Sequence, residues 1–208
     1  MVNYSLYPIC DTSILIDLKH INKLDEYLCF KKYISIADKV RDELFDVLEN
    51  LEGYRHYLDL LKMDNLIIIE ARKYFTAERL KVIENNLRLY KLKNVVGTKN
   101  RAKNAGEFVS AFYAIELGIE ELITSDNTFI DEYGNEPIFK KLSIKNLNSV
   151  LRDFLNDKER INCQSKLEIE NKKMDKAKEK RDVLQVKKDK PAKSMDDLLI
   201  ELKNRYSK

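Results

Sequence analysis

Histidine and cysteine, the usual material of hydrolytic and transition-metal sites, are scarce in this chain. Its 208 residues include two histidines, His20 and His56, and three cysteines, Cys10, Cys29 and Cys163. The histidines are isolated, which sets aside a histidine-ligated metal and a Ser–His–Asp triad. The cysteines are odd in number and share no metal-ligand spacing, so they read as reduced, partly buried thiols. No stretch approaches the roughly 18 apolar residues of a membrane helix. The opening MVNYSLYPICDTS lacks the basic region and long apolar run of a secretory signal. A cytoplasmic protein with no membrane partner is therefore expected. Any hydrolytic chemistry must come from carboxylates.

Charge is abundant and of both signs, with Asp, Glu, Lys and Arg making up 35% of the chain. The small net excess of +3 hides an asymmetry: residues 1–150 sum to about −2 and residues 151–208 to about +5. A faintly acidic body with a basic tail differs from a uniformly basic nucleic-acid binder. The length suits one well-cored domain and an appendage.

Along the body, short apolar runs alternate with helical patterns. Tyr4–Cys10, Ile34–Ala37, Asn65–Glu70 (around LIII) and Glu121–Thr124 read as strands, and Ile138–Ile144 offers a fifth. Between them, Val40, Leu44, Val47, Leu48 and Leu51 recur at helical spacing after Asp38, a natural N-cap. Tyr54–Lys62 reads as helical, a helix opens at Thr76, and another runs from Asn104 to Leu117 with Gly118 closing it. Asn146–Leu155 reads as a last helix of the body. The expected fold is three-layer α/β/α with a central four- or five-stranded parallel sheet over residues 1–155. Residues 156–193 are too polar to fold alone and read as a charged linker, helical or disordered. Met195, Leu198, Leu199 and Leu202 make 194–208 a short amphipathic helix that needs a surface.

Four acids stand at telling places in this layout. Loops at the carboxyl ends of parallel strands converge on one crevice, so Asp11 after the first strand and Asp126 after the fourth are aimed at the same rim. Glu43 lies roughly 40° outside the apolar arc of its helix, where a side chain can reach a cleft. Glu107 is in the first turn of its helix, with small Ala111 and Ala114 following. Clustered carboxylates repel unless a cation occupies them, and hard oxygen donors select Mg2+ or Mn2+. Such an ion polarises a phosphodiester without help from histidine or serine. Each acid also has an ordinary reading. Asp11 could be an Asx turn, Glu43 a surface glutamate, Asn104-x-x-Glu107 a capping box and Asp126 a turn residue.

Taken in order, ICDTSILIDL, IADKVRDELFDVL, AGEFVSAFYAIELGI and ELITSDNTF resemble the PIN-domain nucleases, a family that includes toxin ribonucleases, over residues 4–155. The resemblance implies that Asp11, Glu43, Glu107 and Asp126 bind one or two Mg2+ or Mn2+ ions. It implies support from Ser13 and Thr124 and single-stranded RNA as substrate. Most members have aspartate where this chain has Glu107, and a Gly-Glu subset resembles it more closely. Many toxin members have a further acid at the position of Thr128; here Asn127 or Asp131 would serve, or nothing does. The partners implied are an RNA substrate, an antitoxin or other protein that plugs the crevice, and a second copy of the chain in a homodimer.

A carboxylate rim repels RNA, so cations must hold the phosphates. Lys99, Arg101 and Lys103 precede Glu107 and are the first candidates, with Lys31, Lys32, Arg72 and Lys73 behind them. Tyr54, Tyr57, Tyr74 and Phe75 are read as core rather than as base-stacking platforms. Lys172–Lys193, of mixed sign, is read as a spacer carrying Met195–Tyr206 to a partner rather than as an RNA clamp. Two rivals to a ribonuclease remain. One is a PIN-like module that binds RNA or protein without cutting. The other is a flavodoxin-like or response-regulator domain, whose paired acids at the first strand are not seen.

Overall fold

A computed structural model of the chain describes residues 7–49, 51, 53–98 and 102–189. Five parallel strands form one sheet: β1 (Ile9–Cys10), β2 (Ile34–Ala37), β3 (Leu66–Ile69), β4 (Glu121–Ile123) and β5 (Ser143–Lys145). Their order is β3-β2-β1-β4-β5. The chain steps outward from β1 through β2 to β3, then returns to lay β4 on the other side of β1. The direction of winding therefore reverses between β1 and β4, and such a reversal opens a crevice at the carboxyl ends of the two strands. Pairing of Ile9 with Ser35 and of Cys10 with Ile123 sets the register there.

The helices are α1 (Thr12–His20), α2 (Leu24–Lys31), α3 (Asp38–Glu49), α4 (Ala71–Tyr74), α5 (Ala77–Leu89), α6 (Ala105–Leu117), α7 (Asn127–Tyr133), α8 (Leu147–Phe154) and α9 (Asp157–Asp189). Right-handed crossovers on either side of the reversal put helices on both faces of the sheet. Helix α6 is apolar nearly all round, as a buried helix is. It packs on β1, β2 and β4 and against α3 and α5, with Val109, Ala111, Phe112, Tyr113 and Ala114 sealed from solvent. Gly118 ends it at φ +69°, its N–H reaching the last carbonyls. The α/β class and the parallel sheet read from the sequence are those observed. Among the described residues no helix is long and apolar enough to cross a membrane.

Several boundaries differ from expectation. The fifth strand starts later, at Ser143, because Pro137 opens a 3-10 turn through Phe139 that buries the phenyl ring. Tyr54–Lys62 is a 3-10 helix over Arg55–Lys62. Helix α2 was not anticipated; its Leu24, Tyr27 and Leu28 are buried but stand among charged residues. The start of the first expected strand and the Met195–Tyr206 segment lie outside the described residues.

The charged segment after Asn156 forms α9, which runs along α1 and α8. Cys163 and Met174 are buried from it, and Leu167 and Ala177 pack against the core. Polar links add to these anchors: Gln164 donates to Asn148 at 3.0 Å, and Lys23 stands 3.9 Å from Glu159.

Candidate active site

Asp11 leaves β1 at the reversal point. Its N–H donates to the Ile123 carbonyl at 2.8 Å, so the end of β4 holds its backbone. Its carboxylate caps α1, accepting from the Thr12 N–H at 2.6 Å and the Ser13 hydroxyl at 2.6 Å. The Asx-cap reading and the site reading thus hold together: the cap orients the acid. Only 6% of Asp11 is exposed. Burial pushes its pKa above the usual carboxylate value, Ser13 and Thr12 oppose that, and the charge of Asp126 adds to it.

Asp126 follows β4. Its N–H donates to the fully buried Thr124 hydroxyl at 3.1 Å, and its carboxylate caps α7 by accepting from Phe129 N–H at 3.1 Å. The two expected supports therefore hold the two aspartates in different ways. Ser13 bonds to the carboxylate of Asp11, whereas Thr124 bonds to the backbone of Asp126. Asn127 and Asp131 are exposed along α7.

Glu107 sits in the first turn of α6. The capping box is not formed: Asn104 is left-handed at φ +58° and makes no side-chain cap. Burial first, then the charges of Asp11, Glu43 and Asp126, raise the Glu107 pKa from 4.5 to about 8. Four acids from distant parts of the chain thus share one field. Glu43 is half-buried and reaches the same helix end: its Oε2 lies 2.5 Å from where a Cβ on Gly106 would be. Any larger residue at Gly106 would push it away.

Two neighbours were not singled out from the sequence. Lys39, one turn before Glu43 on α3, is 2% exposed; its ammonium donates to the Thr98 carbonyl at 3.2 Å and stands 4.0 Å from Glu43 Oε1. This buried cation offsets part of the charge of Glu43. The i, i+4 spacing with Glu43 was the available signal. Ser125 is the other: its hydroxyl donates to Asp17 Oδ2 at 2.7 Å and ties the Asp126 loop to α1.

Of the expected RNA-contacting cations, Lys99 and Arg101 lie outside the described residues, and Lys103 is exposed beside Glu43 and Asp46 in a cleft of about 360 Å³. Tyr57 and Phe75 are buried in the core, with Tyr54 and Tyr74 packed against it.

The donors are all carboxylate oxygens; burial first, and then their mutual repulsion, raises Asp11 and Glu107, and a hard divalent cation relieves both. Among the described residues no three of them are drawn in close enough to hold an ion as the side chains stand. No family model matches the chain, and comparison with curated proteins returns no match.

Proposed function

We propose that the chain is a Mg2+- or Mn2+-dependent endoribonuclease that hydrolyses phosphodiester bonds of single-stranded RNA. On this reading it works in the cytoplasm as the toxin of a toxin–antitoxin or phage-defence pair. The observation that supports it is convergence. Asp11 and Asp126 flank the reversal of strand order, and Glu43 and Glu107 add their charges to the same point. The preference for RNA, the toxin role and a homodimer rest on the resemblance to PIN domains.

The four carboxylates would hold the ion, which when bound supplies Lewis acidity toward a phosphoryl oxygen. Ser13 keeps Asp11 aimed into the crevice, and Thr124 shapes the loop that carries Asp126. Lys39 limits the repulsion that Glu43 feels. Glu107, its pKa raised to about 8, holds a proton at neutral pH and would give it up on binding a divalent cation.

A second reading is a PIN-like domain that binds RNA or protein without cutting. Incubation of the purified chain with labelled single-stranded RNA and Mn2+, beside Asp11→Asn and Asp126→Asn, separates the two. Cleavage by the wild type alone is expected. Equal cleavage by all three proteins overturns the site, and cleavage by none supports the binding module.

A further inference from the structure

On α9, Cys163, Leu167, Met174 and Ala177 are apolar residues turned to the body. Their spacings of four, seven and three residues keep one face of a helix in contact. The next position on that face is Arg181, seven residues after Met174. There the helix has reached the Glu43 side of the acid site, where Arg181 and Lys103 share the cleft of about 360 Å³ with Glu43, Asp46, Val47 and Ala102. That volume falls in the range of small-ligand sites. Arg181 and Lys103 come from separate elements, the long terminal helix and the segment leading into α6, so their meeting is a tertiary feature. The guanidinium engages Asp182 at 2.9 Å through Nε and Nη2, which uses only part of its five donors.

We propose that Arg181 and Lys103 form a phosphate subsite for the backbone of a single-stranded nucleic acid, one step from the carboxylates. The proposal rests on the nuclease reading of the acid site and adds the contact that holds the substrate there. An acidic rim repels a polyanion, and cations beside it must supply the attraction. A planar guanidinium suits a phosphodiester oxygen pair, with the lysine as a second point charge. Val47 and Ala102 give the cleft an apolar wall against which a sugar can rest. Helix α9 is thereby part of the binding site rather than a spacer over its described length.

The test uses the full chain carrying Asp126→Asn, in EDTA, titrated into a fluorescein-labelled 12-nucleotide RNA and read by anisotropy. Arg181→Gln and Lys103→Gln are each expected to weaken binding about tenfold and to flatten the salt dependence by about 0.7 in log–log slope per lost phosphate contact. Arg181→Lys should recover part of the loss, and Lys140→Gln, an exposed charge-matched control, should leave binding and slope unchanged. Circular dichroism checks that each variant is folded. In the cleaving protein, Arg181→Gln should raise KM with kcat nearly unchanged. Unchanged affinity and slope in both glutamine variants overturn the subsite even if the wild type cleaves RNA. Tighter binding in Arg181→Gln also overturns it, because the arginine would then be closing the cleft against Glu43 and Asp46. Weakened binding with no cleavage by the wild type supports the subsite and rejects the nuclease.

Discussion

The Glu43 carboxylate rests on the bare α-carbon of Gly106, with Oε2 2.5 Å from the position a Cβ would take. The glycine lets α3 close on the N-terminus of α6 and brings two segments of the site together. Gly106→Ala tests this with opposing effects. Alanine gains about 0.5–1 kcal/mol of helix propensity, and the obstructed atom is the end of a flexible side chain that can swing aside. Stability should therefore change by less than about 1 kcal/mol. Glu43 would be displaced, so Mn2+-dependent cleavage should fall at least about tenfold. Chemical denaturation and a cleavage assay on the same protein check both halves.

Ser13 donates to a carboxylate that burial has already made costly to charge. Ser13→Ala should destabilise the metal-free protein by about 1–3 kcal/mol above neutral pH. The cost should shrink as pH falls and Asp11, its pKa raised by burial, takes up a proton. Urea melts at two pH values give the comparison, and a loss that ignores pH would argue against the hydrogen bond as its cause.

Glu107 sets a pH dependence of definite sign. Its pKa rises from 4.5 to about 8 on folding, so the folded state binds the proton more tightly than the unfolded one. The stability this confers is complete below pH 4.5 and is lost as pH rises through about 8. Without divalent cations the protein should therefore lose stability across that window. Glu107→Gln, which cannot charge, should show a flatter profile and exceed the wild type above pH 8. Thermal melts in EDTA from pH 5 to 9 measure it.

Divalent cations should act in the opposite direction. Mn2+ at 100 times its Kd would stabilise the fold by about 2.7 kcal/mol, and a fixed Mn2+ concentration would stabilise it more toward pH 8 as proton competition at Glu107 falls. Asp11→Asn and Asp126→Asn should each reduce the shift. A full Mn2+ response in both variants would place the ion elsewhere.

Asp38 provides a contrast among the acids. It is buried, and its carboxylate accepts from Lys39 N–H at 2.8 Å, Ala71 N–H at 2.8 Å and the Tyr113 hydroxyl at 3.1 Å. These bonds tie α3, α4 and α6 together, so Tyr113→Phe should cost about 1–2 kcal/mol and leave the Mn2+ shift unchanged. Calorimetry with and without Mn2+ separates this structural acid from the four at the rim.

Much of this was legible in the chain. Strand runs such as Ile34–Ala37 and Leu66–Ile69 are apolar throughout because a parallel sheet is covered on both faces. The caps at Asp11 and Thr76 lie where their hydrogen bonds form, since capping is local chemistry. Position along alternating strands and helices was enough to aim Asp11 and Asp126 at one rim. It was not enough for Glu107, whose capping-box spacing was equally good until the left-handed backbone at Asn104 ruled that pairing out.

The sequence alone therefore determined the α/β class, the parallel strands and the pair of aspartates, because periodicity and capping act over a few residues. Only the tertiary structure decided that Glu43 lies on Gly106, that Lys39 is buried beside Glu43 and that α9 carries Arg181 to Lys103. Those juxtapositions join segments remote in sequence, and they depend on how closely two helices approach and on which face a helix keeps after many turns. Among the four acids, Asp11 and Asp126 owe their meeting to strand order; Glu43 and Glu107 join them through helix packing.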